Sequence, residues 1–344
     1  MEEMTYQDVS AAIKKNSARP FSLLLGNGFS MSYAPDMFSY NALHGFVEKL
    51  NNPVLTELFR IVDTHDFERV MQQLDTFAAL GRVLGIGPAL AKRIEVARVD
   101  LKRSLIDAVR ALHPEHVYTI PESKCAACVE FLRPFLNSKG SLFTTNYDLL
   151  LYWILMRGGL PSIDGFGRDR ESPDEYVPED ELEYSELRWG RNIDGQNVHY
   201  IHGALPLFDT GLEIVKEEYA ENYLLGQITQ RIEGGEYPVF VTAGDANQKL
   251  THIRHNPYLQ NSYESLATIS GSLVTFGFNF GPQDEHIVTA IQRAAKQPKP
   301  HRLWSIYIGA YSSEDVTRAE QLSKKLECKV HVFDSKTAPV WQER

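Results

Sequence analysis

The polar side chains of this chain that could do chemistry follow short apolar runs. Asn146 and Asp148 come directly after a run that begins at Leu142, and His202 ends a run of β-branched and aromatic residues. An amide both donates and accepts hydrogen bonds, and an imidazole ordinarily titrates near neutral pH. The two groups could therefore position a substrate and accept a proton. A third apolar run, Leu23–Leu25, ends in a glycine-rich turn.

Short apolar runs that end in polar or glycine-rich turns are typical of the carboxyl edge of a parallel sheet, where open α/β folds bind ligands. Further runs, at 237–241, 273–277, 304–308 and 329–333, alternate with helical patterns. Repeated strand–turn–helix units predict the α/β class with a mainly parallel, Rossmann-like sheet. The polar strand ends should then meet at one site.

The glycine turn Gly26-Asn27-Gly28-Phe29-Ser30 allows two interpretations. Its glycines would let the backbone approach a ligand, with a pyrophosphate on the N-terminus of the next helix. An ordinary strand-to-helix turn explains the same residues equally well. Met31 stands where the GxGxxG fingerprint needs its third glycine, so a standard dehydrogenase-type site is disfavoured.

Apolar residues recur at helical spacing from Leu43 to about Leu112. This pattern predicts a helical insertion, residues 43–135, after the first strand of a single domain spanning 1–344. Within it, Leu84–Ile94 resembles the hairpin of a helix-hairpin-helix DNA-binding motif. The same turn also fits a plain connection between helices, which we favour because the chain is acidic.

The composition narrows the class of protein. With 344 residues and 43% hydrophobic residues the chain can bury a large core, and 45 acidic against 35 basic residues disfavour nucleic-acid binding. The longest apolar run, Leu149–Met156, is far shorter than the roughly 20 residues of a membrane span, and the amino terminus does not resemble a signal peptide. We expect a soluble, cytoplasmic protein.

Three cysteines argue against a disulfide framework. Cys125 and Cys128 form a single CxxC, whereas a structural zinc ion needs four ligands, so we expect no metal and assign both thiols to a helix over residues 123–136. The stretch Asp169–Glu186 contains nine acidic residues and two prolines, which predicts a solvated loop.

Four motifs occur in order along the chain: Gly26-Asn27-Gly28-Phe29-Ser30, Thr144-Thr145-Asn146-Tyr147-Asp148, Tyr200-Ile201-His202-Gly203 and Gly277-Phe278-Asn279-Phe280-Gly281-Pro282-Gln283-Asp284. This set resembles the SIR2 superfamily, in which a GAGxS turn, a TxNxD strand end, an HG strand end and a GxS turn bind NAD. The closer resemblance is to bacterial SIR2-like proteins, several of which consume NAD in antiphage defence, and to an uncharacterised bacterial family among them.

The resemblance implies a SIR2-type (DHS-like) NAD-binding fold and NAD as the substrate. It implies that Asn146, His202 and Asp148 are catalytic. The residues it implies for NAD binding are Gly26, Asn27, Gly28, Phe29, Ser30, Thr145, Gly203, Gly277, Asn279, Phe280 and Asp284. Asn27 replaces the alanine of GAG, and Asn279 replaces the serine of GxS, which could alter how the adenosine half is held.

The chemistry expected from this resemblance is cleavage of the nicotinamide–ribosyl bond. Nicotinamide leaves as a neutral molecule, so no general acid is needed, unlike at an ordinary glycosidase. Asn146 would position the ribose and a water molecule, His202 would accept the proton, and Asp148 would order the pocket or contact the carboxamide. We therefore expect an NAD glycohydrolase that yields nicotinamide and ADP-ribose.

Other functions remain open at this point. The chain could be a non-catalytic sensor of NAD or an ADP-ribose derivative. A deacylase or ADP-ribosyl transferase would need an acceptor site, and the four-cysteine zinc module of sirtuin deacylases is absent from the sequence. Because an unrestrained NADase would deplete its own cell, we expect a homo-oligomer or a regulatory partner or phage-derived trigger, with the helical insertion as the surface involved.

Overall fold

The computed structural model describes residues 3–15, 19–35, 52–62, 67–113, 116–170, 184–219, 223–241 and 245–342. Two predictions fall partly outside these ranges: the start of the helical block, through residue 51, and most of the acidic loop, residues 171–183. The strands, in chain order, are β1 (Glu3–Met4), β2 (Phe21–Leu25), β3 (Leu142–Thr144), β4 (Phe166–Gly167), β5 (Leu187–Trp189), β6 (Val198–Tyr200), β7 (Gly203–Asp209), β8 (Ile214–Lys216), β9 (Pro238–Phe240), β10 (Gly271–Phe276), β11 (Leu303–Ala310) and β12 (Lys329–Asp334).

The main sheet has seven strands in the order β1-β12-β11-β10-β2-β3-β6. Every neighbouring pair in it is parallel. Its central strands are buried along their whole length, which explains why β2 is a nearly continuous apolar run, Phe21–Leu25. The predicted α/β class with a mainly parallel sheet is confirmed, and the architecture is compatible with a Rossmann-like fold.

Helices connect many of these strands, and several of the helices contact the parallel sheet. In chain order they are α1 (Tyr6–Lys15), α2 (Asn27–Tyr33), α3 (Pro53–Val62), α4 (Phe67–Leu84), α5 (Pro88–Leu112), α6 (Glu122–Leu136), α7 (Leu150–Gly158), α8 (Leu224–Gly234), α9 (Ala246–His255), α10 (Pro257–Ala267), α11 (Glu285–Lys296) and α12 (Ser313–Ser323). No helix in the described ranges is both long and apolar enough to cross a membrane.

The chain between β2 and β3 is helical wherever the structure describes it apart from short connections and one 3₁₀ turn, from α2 to α6. The glycine turn of the suspected DNA-binding hairpin joins α4 to α5, with Gly85 in the left-handed region at φ +71°. It is therefore a connection between two helices.

A second sheet was not predicted from the sequence. Its five strands are antiparallel, in the order β4-β5-β8-β7-β9. The predicted strand at 237–241 exists as β9, but it pairs with β7 in this second sheet and not with the parallel one. Gly203 begins β7 at φ +77°, where a Cβ would lie 1.9 Å from the carbonyl oxygen of Val239, so only glycine permits this change of sheet.

Candidate active site at the sheet edge

A cavity of about 830 Å³ lies at the carboxyl edge of the parallel sheet, within the usual size of ligand sites. The ends of β2, β3, β10, β11 and β12 and the turn after β6 supply its walls. Because these strands are parallel and adjacent, their following residues converge, as the sequence predicted. The predicted site residues that line the cavity are Asn27, Gly28, Thr145, Asn146, Asp148, His202, Gly277, Asn279 and Asp284.

Ser30 links the two polar residues that follow β3. The Asn146 amide donates from Nδ2 to Ser30 Oγ at 2.9 Å, and Ser30 Oγ donates to Asp148 Oδ2 at 2.7 Å. The other carboxylate oxygen, Oδ1, accepts from the Leu150 backbone N–H at 2.9 Å, at the start of α7. All three side chains are buried. Ser30 does not line the cavity, so it acts by holding Asn146 and Asp148 in place.

The Asp148 carboxyl is perturbed by its surroundings. Burial raises its pKa from the usual 3.8 to about 6, against the opposing hydrogen bonds from Ser30 and the Leu150 backbone. The folded protein binds this proton more tightly than the unfolded chain, so protonation of Asp148 stabilises the folded state fully below pH ~4. This stabilisation is lost as the pH rises through about 6, because the folded protein must then hold a buried charge.

We therefore expect Asp148→Asn to gain stability relative to the parent protein as the pH rises. The gap in the free energy of unfolding should widen by roughly 1 kcal/mol between about pH 5 and pH 8, since asparagine does not titrate. Urea unfolding of both proteins across this range measures the gap. A gap that does not change with pH would show that the carboxyl titrates normally.

The glycine turn after β2 packs against the loop after β10. Gly26 donates its backbone N–H to Phe276 O at 3.0 Å, and Gly28 donates to Gly277 O at 2.9 Å. A Cβ on Gly28 would lie 2.6 Å from the Gly277 Cα. These glycines are required by the contact between two loops, and the Gly28 amide is already used. The Gly28 N–H is therefore not available to a ligand, although Gly28 itself lines the cavity.

The remaining predicted binding residues lie behind the cavity wall. Gly26, Gly203 and Phe280 shape the loops, and Phe280 has the left-handed φ of +53° that is unusual for a non-glycine residue. Phe29 is fully buried, with its ring 5.0 Å from that of Trp341. These four residues support the site without lining it.

His202 lies in the two-residue connection between β6 and β7. Its Nε2 is 2.9 Å from Nε2 of His286, which lies in the first turn of α11. Burial, and then the nearby Lys249 ammonium, hold the pKa of His202 well below 6.5. The expectation that His202 titrates near neutrality is therefore wrong: the low-dielectric surroundings keep the imidazole neutral.

The sequence analysis gave His286 no role. Burial lowers its pKa to about 3, with the His202 ring as the second cause. The signal that could have found it is its position just after the Gly277–Asp284 motif, on the helix that follows the sheet edge. His199, on β6, points elsewhere: its ring stacks on Phe143 and its Nδ1 contacts Gln196.

A buried ion pair lies beside the two histidines. Lys249 Nζ is 2.8 Å from Asp284 Oδ1, and the two side chains are 1% and 6% exposed. His202, Asp284 and His286 are also the group among the described residues whose donor atoms could hold a metal ion, since these atoms lie within 4.8 Å of one another. The sequence predicted no metal, and Lys249 already balances the charge of the carboxylate.

The far wall of the cavity comes from the carboxyl-terminal part of the chain, which the sequence analysis did not connect with the site. Its lining residues are Gly309, Tyr311, Asp315, Ser335, Lys336, Ala338, Val340, Trp341 and Gln342. The Trp341 indole donates to Ser32 Oγ at 2.9 Å and so ties this segment to α2. The missed signal was that β11 and β12 are also parallel strands, whose carboxyl ends reach the same edge.

The cysteines play no part in this cavity. Cys125 and Cys128 are buried, reduced thiols on α6, and Cys328 is also free. Burial raises the pKa of the Cys128 thiol well above 9.0, so this side chain is a packing group in the core.

The fold and the cavity together define an α/β protein with a ligand-sized site at the carboxyl edge of a parallel sheet. Residues 23–341 match the family described as "Domain of unknown function (DUF4917)", and the chain belongs to this family. No curated protein matches the chain. The family's description assigns no activity, and a fold alone does not define one.

Proposed function

We propose that the protein is a SIR2-like NAD glycohydrolase that cleaves NAD to nicotinamide and ADP-ribose. The observation that carries the proposal is the convergence of Asn146, Asp148 and His202 on one cavity, with Ser30 holding the first two in place. The order of motifs that resembles the SIR2 superfamily supports the same activity. The size of the cavity suits a dinucleotide-sized ligand.

The residues suit this reaction because it needs positioning more than acid catalysis. The Asn146 amide donates one N–H to Ser30 Oγ. This hydrogen bond fixes the plane of the amide and directs the remaining N–H and the oxygen of the amide to the ribose and a water molecule. Nicotinamide departs without a proton, so no general acid is needed. His202 is neutral, so it can accept the proton of the attacking water once its lone pair is free.

The direct test is to incubate the purified protein with NAD and separate the products by chromatography. We expect equal amounts of nicotinamide and ADP-ribose. A parallel reaction with Asn146→Ala controls for contaminating hydrolases. If no nicotinamide is released, even with a phage-infected cell extract as a source of activator, the proposal fails.

A second function, a non-catalytic sensor of NAD or an ADP-ribose derivative, is favoured by one observation. The Nε2 of His202 is already bound to His286, so this histidine offers no evident lone pair to a substrate. Thermal stabilisation by NAD or ADP-ribose without any turnover would favour the sensor over the enzyme.

We further propose that the protein acts in bacterial antiphage defence and that self-association through the helical insertion gates it. Four apolar side chains that lie near one another along α4 are exposed: Phe77 (50%), Leu80 (53%), Val83 (84%) and Leu84 (79%). Exposed apolar side chains at this spacing suit a contact with a second copy of the chain.

We expect Leu80→Glu to lower the oligomeric state measured by light scattering and to change NADase activity with it, because a charge at an apolar contact must be desolvated. Arg82→Glu places an acidic side chain on the opposite side of α4 from Leu80 and serves as the control. If the parent protein is a fully active monomer, the gating proposal is wrong.

A further inference from the structure

Two buried histidine rings face each other at the cavity wall, which His202 lines and His286 does not. Nε2 of His202 and Nε2 of His286 are 2.9 Å apart, and the rings stack at 28° with centroids separated by 5.1 Å. At this distance one nitrogen must donate a hydrogen and the other must offer its lone pair. The contact therefore uses one of the two nitrogens of each ring.

The second nitrogen of His286 decides which ring donates. His286 Nδ1 is buried and has no hydrogen-bond partner among the residues that the structure describes. A buried N–H without an acceptor is rarer than a buried lone pair without a donor, so the hydrogen of His286 lies on Nε2. His286 then donates from Nε2, and Nε2 of His202 carries the lone pair.

A metal ion between the same side chains is a weaker explanation of the contact. His202, Asp284 and His286 have suitable donor atoms, but Lys249 Nζ already neutralises Asp284 at 2.8 Å. A divalent cation would leave the buried cluster with two uncompensated positive charges, which is costly in a low-dielectric interior. Two neutral imidazoles joined by a hydrogen bond keep the cluster electrically balanced.

The loop that precedes His286 connects this contact with the cavity. Gly277, Asn279, Gln283 and Asp284 line the cavity, and α11 begins directly after them with His286 in its first turn. The same loop holds Phe280 at φ +53°, a sparsely populated conformation that is kept only where the surroundings impose it. A ligand that presses on this loop would therefore move the helix end that carries His286.

We propose that the His202–His286 hydrogen bond is a resting-state lock: His286 occupies the lone pair that His202 needs as a base, and ligand contact with the Gly277–Asp284 loop releases it. For turnover this inference rests on the proposed NADase function. The contact itself does not depend on that function. It would supply a restraint on activity inside the site, separate from self-association.

The test compares His286→Leu, which removes the N–H donor, with His286→Gln, which keeps an N–H donor at a similar distance. We expect His286→Leu to raise the basal turnover of NAD about tenfold or more, because the lone pair of His202 is then free in most molecules. His286→Gln should keep the parent's low turnover. Loss of turnover in a folded His286→Leu protein, with turnover kept by His286→Gln, would overturn the lock and make His286 a positioning residue.

A second readout needs no activity. Nitrogen NMR of the ¹⁵N-histidine-labelled protein should show His202 with hydrogen on Nδ1, and the pKa of His202 should rise in His286→Leu because no donor then competes with the proton. An unchanged pKa, or one zinc ion per chain by elemental analysis that disappears in His286→Leu, would contradict the proposed hydrogen bond. If these signals behave as expected but NAD is never cleaved, only the proposed function fails.

Discussion

His202→Ala should lower NAD hydrolysis by about 10²- to 10⁴-fold, the range typical of a lost acid–base group, and leave NAD binding largely intact. The substitution removes the proposed base, whereas Asn146, Asp148 and the loop after β10 still line the cavity. Initial rates of nicotinamide release and NAD affinity by calorimetry, measured on the same preparations, separate the two effects.

The matched control is His199→Ala. His199 is also a buried imidazole, on the strand that leads to His202, but it stacks on Phe143 away from the cavity. Both variants should lose stability, and His202→Ala alone should lose turnover. If a folded His202→Ala protein hydrolyses NAD at the parent rate, the histidine is part of the scaffold and the activity has another source.

Asn146→Ala should reduce both turnover and productive binding, with a fall of about 10²-fold or more in kcat/KM, as expected when a positioning hydrogen-bonding group is lost. The amide is 7% exposed, so its removal also costs one buried hydrogen bond, on the order of 1 kcal/mol of stability. Steady-state kinetics and a thermal melt of the same samples report these quantities.

Ser30→Ala sharpens this test because Ser30 contacts both Asn146 and Asp148 and does not line the cavity. If Ser30 acts by holding Asn146, the effects of Ser30→Ala and Asn146→Ala on kcat/KM should be less than additive in the double variant. Fully additive losses would mean that Ser30 has a separate role. Parent-like kinetics in a folded Asn146→Ala protein would remove this residue from the mechanism.

The sequence by itself determined the elements that follow from local patterns. Short apolar runs before glycine or polar turns predicted the strands that the structure shows at 21–25, 142–144 and 198–200, and helical periodicity predicted the helices between the first two. Because parallel strands end at one edge, these runs were enough to place Asn146, Asp148 and His202 around one cavity.

Tertiary structure decided what depends on contacts between distant segments. The pairing of His202 with His286 joins residues 84 positions apart, and the contact of Trp341 with Ser32 joins residues 309 apart; no local pattern encodes either contact. The neutral state of His202 also arises only in the fold, because burial and Lys249 supply the field that lowers its pKa. Residue type suggested the chemistry of the site, whereas the surrounding charges and hydrogen bonds set the protonation states of the side chains that would carry it out.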